Sequence, residues 1–317
     1  MKNLLFLAVF LISGAAAAQT YPTKPITIIV PFTPGSATDV VARLVGEKLN
    51  AAWGQPVIVE NRAGAGGTIG IAQTARAEPD GHTLAVVSTG HVVNPVLYKD
   101  LPYDTLKDLA GVAPLASLPS VLVVSPSLGV KSVAELVAMA KAKPGELNYA
   151  TAGVGSAAHI NSEKFNHAAG IKALHVPLKG TPPILNETMG GRVHFAWVPS
   201  LSSVGLLKDG KLLALAVSTP RRVAALPEVP SIAEAGYPGG EFNFWLGMLA
   251  PAKTSREVLV KLNAEINRAL KAPEMIDRLA KLGAEPMSMS PAEFDRFIRS
   301  EHDELGKVMR DAGAKPQ

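Results

Sequence analysis

Apolar runs of strand length alternate with longer segments of helical periodicity along most of this chain. That alternation is the pattern of βαβ units built around a parallel sheet, so an α/β architecture is expected. Strands are read at residues 26–30, 57–60, 83–87, 121–124, 147–150, 173–176, 193–198 and 212–217. Helix starts are marked by five S/T-x-x-D/E pairs that read as capping boxes: Ser36/Asp39, Ser132/Glu135, Ser231/Glu234, Thr254/Glu257 and Ser290/Glu293. The last has Pro291 at the first helical position. Residues 251–312 read as nearly all helix, with too little strand signal for another sheet, and are expected to pack back onto an existing domain.

At 317 residues, with 47% hydrophobic and 18% charged, the chain can build two sizeable cores. Lys plus Arg exceed Asp plus Glu by only 31 to 27, a formal charge of +4, which gives no electrostatic case for a nucleic-acid partner. The N-terminus carries Lys2, an apolar stretch from Leu4 to Ile12 and small residues Ala16, Ala17 and Ala18. This reads as a signal peptide over residues 1–18, cleaved after about Ala18. No later run approaches the roughly 18 apolar residues of a membrane span. There is no cysteine, which excludes disulfides, thiol catalysis and a lipidated N-terminal cysteine. An exported chain without an anchor is retained only where an outer membrane encloses it, so the expected location is the periplasm.

Three segments share one construction, a strand ending in Gly and small hydroxyl residues that then enters a helix. They are Phe32 to Asp39 (with Gly35, Ser36, Ala37 and Thr38), Ser88-Thr89-Gly90-His91, and Thr151 to His159 (with Gly153, Gly155 and Ser156). In open α/β sheets ligands bind beyond the carboxyl ends of strands, where helix N-termini offer free N–H groups and partial positive charge. One such segment is explained by capping and turn formation. Three together point to a site for a small anion.

Other chemistries fit less well. Gly153-x-Gly155-x-x-Ala158 has dinucleotide spacing, but the next strand and its exit, Ala173 to Gly180, lack the acid that would hold a ribose. No cofactor is expected. Ser36, Asp39, His91, Ser156 and His159 are the residue types of a hydrolase, yet no G-x-S-x-G elbow occurs. An exported serine hydrolase acting on a small ester or amide through Ser156 or Ser36 is the alternative reading. The seven histidines show no metal-ligand spacing, so no metal is expected.

An ordered series of short motifs then narrows the class. It includes Tyr21-Pro-Thr-Lys-Pro25, Val30-Pro-Phe-Thr-Pro-Gly35, Val59-Glu-Asn-Arg-Ala-Gly-Ala-Gly-Gly67, Pro79-Asp-Gly-His-Thr-Leu84, Leu101-Pro-Tyr-Asp104, Leu147-Asn-Tyr-Ala-Thr-Ala-Gly153, Lys179-Gly180 and Leu226-Pro-Glu-Val-Pro230. This series resembles the exported substrate-binding proteins of tripartite tricarboxylate transporters, the Bug family, over essentially the whole chain beyond the signal.

The resemblance implies a periplasmic-binding-protein-like (Venus flytrap) fold with two chain crossings between domains, drawn at residues 21–122 plus 246–317 for one domain and 123–245 for the other. It implies a ligand carboxylate held by the first loop (Phe32, Gly35, Ser36, Ala37, Thr38, Asp39) and the second (Thr151, Gly153, Gly155, Ser156, His159), with Ser88 to His91 adjoining. Two departures matter. Gly35-Ser36 stands where the family commonly has Gly-Gly. Trp197-Val198-Pro199 stands where it has Phe-Asp-Ser, which removes a carboxylate and suggests that Val198 and Trp197 make the wall more apolar. A dicarboxylate or aromatic carboxylate is therefore expected over an amino acid. The implied partners are the membrane permease subunits of a tripartite tricarboxylate transporter or the periplasmic domain of a sensor kinase. The protein is expected to be a monomer without catalytic activity.

Overall fold

The computed structural model describes residues 21–311, and the expected signal peptide and its cleavage point lie outside the described residues. The fold is built around two mixed sheets. The chain enters through β1 (Ile26–Val30), β2 (Val57–Asn61), β3 (Thr83–Ser88) and β4 (Leu109–Leu118). It then forms β5 (Ser120–Val124), β6 (Asn148–Thr151), β7 (Leu174–Pro177), β8 (Phe195–Pro199) and β9 (Leu213–Val217), and returns through β10 (Phe244–Pro251) and β11 (Glu285–Pro286). The first sheet runs β11-β4-β10-β3-β1-β2 and the second β7-β6-β8-β5-β9.

The helices, among the described residues, are α1 (Ala37–Trp53), α2 (Thr68–Ala75), α3 (Asn94–Leu97), α4 (Val133–Ala142), α5 (Ala157–Ala169), α6 (Thr181–Met189), α7 (Ser200–Lys208), α8 (Arg256–Leu270), α9 (Pro273–Lys281) and α10 (Pro291–Asp311). We call each sheet with its helices a lobe. The chain leaves lobe one at Pro119, between β4 and β5, and comes back between Val217 and Phe244. Ser218 ties the two crossings together. Its Oγ accepts from Ser120 N–H at 3.0 Å and donates to Phe242 O at 2.9 Å.

The βαβ reading holds where strands run parallel: β1 with β2 and β3, and β6 with β7 and β8. The strands beside the crossings are antiparallel instead: β10 pairs with β3 and β4, and β5 with β8 and β9. Alternation along lobe two's strands sends Leu122, Phe195, Trp197 and Leu215 into one core under α4 and α5. The intervening Val121, Val123, Ala196 and Val198 enter a second core with Ile184 and Leu185 of α6, and a register shift between β5 and β9 lets Val217 join it although Leu215 faces the first.

β4 and β10 carry no strand signature in sequence. β4 contains Gly111 and Pro114, and β10 contains Gly247. Both have a structural cause. Pro114 sits at a register shift between the two strands, where its missing N–H costs no ladder bond. Gly111 and Gly247 lie beneath the ring of Phe294 from α10: a Cβ at Gly247 would stand 2.2 Å from Phe294 Cζ. The expectation that the C-terminal helices return to an existing domain is thus met, with α10 and α8 packed on β4.

The capping boxes fare unevenly. Ser290/Glu293 closes in both directions at the start of α10. Ser231/Glu234 also closes, but it heads a turn rather than a helix. At Ser132/Glu135 only the Ser half caps, and the carboxylate turns to Lys131 N–H. The cap of α8 is Ser255 rather than Thr254, with its Oγ accepting from Val258 N–H. Ser36/Asp39 does not form a box at all, for reasons that belong to the cleft.

Replacing Gly247 by Ala pushes a methyl group into a fully buried aromatic ring, at a cost of roughly 1–3 kcal/mol. Thermal unfolding of Gly247→Ala is therefore expected to begin several degrees below wild type. An unchanged midpoint would show that α10 does not dock as described.

Candidate functional site

Between the lobes lies a small cavity of about 40 Å³. Lobe one contributes Phe32, Ser36, Ala37, Thr38, Ser88 and Phe244, and lobe two Ser120, Ala152, Ser156, Ala157, Ala158, Thr181, Trp197 and Pro199. Every polar group in that lining is a hydroxyl, an indole N–H or backbone. No lysine, arginine, histidine or carboxylate is among the lining residues.

α1 and α5 begin at this cavity, one from each lobe, and α6 begins there with Thr181. Ser36 precedes α1 in an extended conformation, φ −70° and ψ 160°, and Ser156 precedes α5 at −67° and 157°. The first N–H groups of a helix have no partner within it. At α5, Ser156 Oγ accepts from His159 N–H at 3.3 Å, which leaves Ala157 and Ala158 N–H without a protein partner among the described residues. At α1 the Ser36 hydroxyl makes no cap. It bonds Thr38 Oγ1 at 3.0 Å, leaving Ala37, Thr38 and Asp39 N–H free.

Asp39 explains the failed box. Its carboxylate accepts from Gly35 N–H at 2.9 Å, from Arg43 Nη2 at 2.9 Å and from Asn61 Nδ2 at 2.9 Å. Burial opposes its ionisation, but the hydrogen bonds from Arg43, Gly35 and Asn61 outweigh burial and hold its pKa below the usual carboxylate range. Asn61 Nδ2 also lies 2.9 Å from Phe32 O, so the same network braces the loop. Asp39 therefore supports the turn from behind and is not part of the lining.

The second loop is braced in a similar way. Thr151 Oγ1 contacts His175 Nε2 at 2.6 Å and accepts from Gly153 N–H at 3.2 Å. His159 Nδ1 accepts from Gly155 N–H at 3.3 Å, and its ring stacks on His175 with centroids 4.4 Å apart. Both imidazoles have their pKa lowered to about 4, His159 by burial and His175 by burial first and then its neighbour His159, against a smaller opposing pull from Glu163. Both are therefore neutral near pH 7. Among the described residues neither Ser36 nor Ser156 has its Oγ bonded to an imidazole, so the serine-nucleophile arrangement is not assembled.

Of the residues read from sequence, Phe32, Ser36, Ala37, Thr38, Ser88, Ser156 and Trp197 come together in the lining. Gly35, Asp39, Thr151, Gly153, Gly155 and His159 shape the loops around it. Thr89 serves the fold instead, its Oγ1 accepting from Trp245 N–H at 2.8 Å. His91 lies outside the cavity, fully buried, stacked on Tyr103 and lowered to about 3 by burial and then by His302. Val198 also points away, because neighbouring residues of β8 face opposite sides of the sheet.

Ser120, Ala152, Ala157, Ala158, Thr181, Pro199 and Phe244 are lining residues that the sequence reading did not select. Thr181 and the alanines had a signal, the first turn after a helix-starting Gly or Ser. Ser120 and Phe244 had none, since they reach the cavity only because both sheet crossings pass beneath it.

The lobes touch beside the cavity. Tyr98 Oη donates to Val154 O at 2.8 Å. Gly90 lies so near the second loop that a Cβ there would stand 2.4 Å from Gly155 O, and one on Gly66 would stand 1.9 Å from Val154 O.

The family model for the tripartite tricarboxylate transporter family receptor matches residues 41–314. The chain belongs to that family. The receptor is 38% identical over 314 residues to the protein BugT of Bordetella pertussis, covering 98% of this chain and 96% of BugT. Among solved structures it resembles Rpa4515 of R. palustris, determined with adipate, at TM-score 0.90 and 35% identity, covering 94% of this chain and all of that one. It also resembles MatC from Rhodopseudomonas palustris, determined with bound malate, at TM-score 0.87 and 32% identity, covering 91% and 99%. The fold of the receptor is that of periplasmic binding proteins.

Two outcomes follow from this geometry. Gly90 has no positive φ, so Gly90→Ala adds only a collision between lobes. Ligand affinity measured by calorimetry is expected to fall at least tenfold, while the unfolding midpoint of the ligand-free protein stays within a few degrees of wild type. The second concerns pH. His159 and His175 have folded pKa values below the usual 6.5, so the unfolded chain binds more protons between about pH 4 and 6.5. Stability is full above that window and declines as pH falls through it. His159→Gln should flatten the decline in a series of melts, and an unaltered slope would count against the brace.

Proposed function

We propose that this receptor captures a small organic carboxylate in the cleft between its lobes and has no chemistry of its own. One observation carries the reading: helix N-termini from both lobes open on one cavity with unpartnered N–H groups, and no charged side chain lines it. Such an array attracts an anion through backbone dipoles and hydroxyls. A carboxylate bridging α1 and α5 favours the state in which the lobes touch, so binding couples to closure. The moving units are the two lobes, turning about the crossings near Pro119 and Ser218, so the boundaries expected at 122/123 and 245/246 shift by a few residues to keep β5 and β10 whole.

The adipate present with the related Rpa4515 and the malate bound by MatC support a carboxylate ligand. The lining supports one without an amino group, because no carboxylate is available to pair an ammonium and Asp39 is fully engaged elsewhere. The protein acts in the periplasm after cleavage near Ala18, as a monomer. In its closed form it delivers the ligand to the permease subunits of a tripartite tricarboxylate transporter or to the periplasmic domain of a sensor kinase. No described helix is long and apolar enough to cross a membrane.

The test is thermal unfolding of protein first unfolded and refolded to strip any carried ligand. At about 100 times its dissociation constant a ligand adds roughly 2.7 kcal/mol, a rise of several degrees. Carboxylates without an amino group are expected to raise the midpoint, and aspartate and glutamate to do so less than succinate and glutarate. Equal or larger shifts with the amino acids would sink the ligand class, and a response to sugars alone would sink the carboxylate reading.

A further inference from the structure

Two buried polar side chains, one lining the cavity and one on the helix that opens on it, have unpaired atoms among the described residues. Trp197 lines the cavity from β8 and is 1% exposed, and its indole Nε1 has no hydrogen-bond partner among the described residues. Asn161 on α5 is fully buried, and neither Oδ1 nor Nδ2 has a partner. The orientation of that amide does not matter here, since both of its ends are free.

Helical geometry relates the second group to the cavity. Asn161 follows the lining residues Ala157 and Ala158 by four and three positions, so it shares their face of α5. Side chains on a helix lean toward its N-terminus, which brings the Asn161 amide back over the turn that opens on the cleft. α5 packs on β8, the strand that carries Trp197. Other buried side chains are also unpaired among the described residues, Asn94 and Asn166 among them, but of these groups only Trp197 lines the cavity, and Asn161 lies on the helix that opens on it.

We propose that Trp197 Nε1–H and the Asn161 amide form a second polar subsite, distinct from the helix N-termini, that receives an oxygen acceptor at the far end of the ligand. This rests on the reading of the cavity as a carboxylate site and adds to it the feature that selects among carboxylates. Two neutral donors suit a second carboxylate, whose two oxygens accept one hydrogen bond each. A monocarboxylate of the same length, aliphatic or aromatic, leaves both donors buried and unpaired and binds more weakly. Trp197 is thus a donor as well as part of the apolar wall.

The test compares glutarate and adipate with pentanoate and hexanoate by calorimetry on the refolded mature protein, in wild type, Trp197→Phe and Asn161→Ala. Wild type is expected to prefer each diacid by at least about tenfold, the worth of a buried hydrogen bond. Each variant should lose more affinity for the diacids than for the matched monoacids, so that the diacid-to-monoacid ratio falls by about that factor. Binding of both classes with an unchanged ratio in the variants overturns the subsite alone. Silence of wild type toward both classes overturns the carboxylate reading and the subsite with it.

A second measurement needs no variant to fold well. The chain has three tryptophans, and the indole N–H of Trp245 is already bonded to Glu301. In nitrogen-15 spectra of labelled wild type, the Trp197 indole resonance is expected to move downfield on adding a diacid and to stay in place with a monoacid. An indole that moves with neither, while calorimetry records binding, overturns the proposal.

Discussion

Two helix N-termini brought to one cavity repel unless something negative lies between them, because each carries about half a positive charge and unpaired N–H groups. The facing starts of α1 and α5 create that condition, and the rest of the cleft is arranged around it. Anionic side chains that could have neutralised the ends are absent from the lining. The one nearby carboxylate, Asp39, is turned outward into a network with Gly35, Arg43 and Asn61. The lobes nevertheless meet closely, Tyr98 against Val154 O and Gly90 against the Gly155 carbonyl.

Each anion-facing loop is braced from behind by groups that do not enter the cavity. On lobe one the brace is ionic, and Asp39 stays charged because its hydrogen bonds outweigh the cost of burial. On lobe two it is aromatic and neutral: His159 and His175 stacked, with His175 also stacked on Tyr149, whose hydroxyl bonds Glu163. A charged imidazole there would add a cation beside the Gly153–Ser156 turn and lose its acceptor for Gly155 N–H. Burial keeps both rings neutral at ordinary pH. The polar groups of the lining are thus backbone, hydroxyls and indole, and under the proposed function these would meet the ligand with little change in protonation.

Legibility in the sequence followed the range of the interaction that shapes each element. β1, β3 and β8 are short, dense in Val, Ile or aromatic residues and bounded by turn residues, so local pattern suffices. β4 and β10 do not read as strands because Pro114, Gly111 and Gly247 answer to a register shift and to the ring of Phe294, more than forty residues away. The same division applies to the caps. Ser290 and Glu293 close on each other, whereas Asp39 is drawn away from Ser36 by Arg43 and by Asn61 from β2.

By itself the sequence determined the α/β alternation, the three strand-to-helix loops and the family, since all of these reside in short contiguous motifs. Tertiary structure alone decided that Ser120 and Phe244 line the cavity at the chain crossings and that Thr89 and His91 do not. It also decided that Trp197 faces the cleft while Val198 faces away, and that the buried amide of Asn161 has no partner among the described residues. The physical reason is that a cleft wall is assembled from strands far apart in the chain. Strand pleat and lobe contact choose which side chains are exposed there, and neither leaves a mark within a few residues of the side chain it selects.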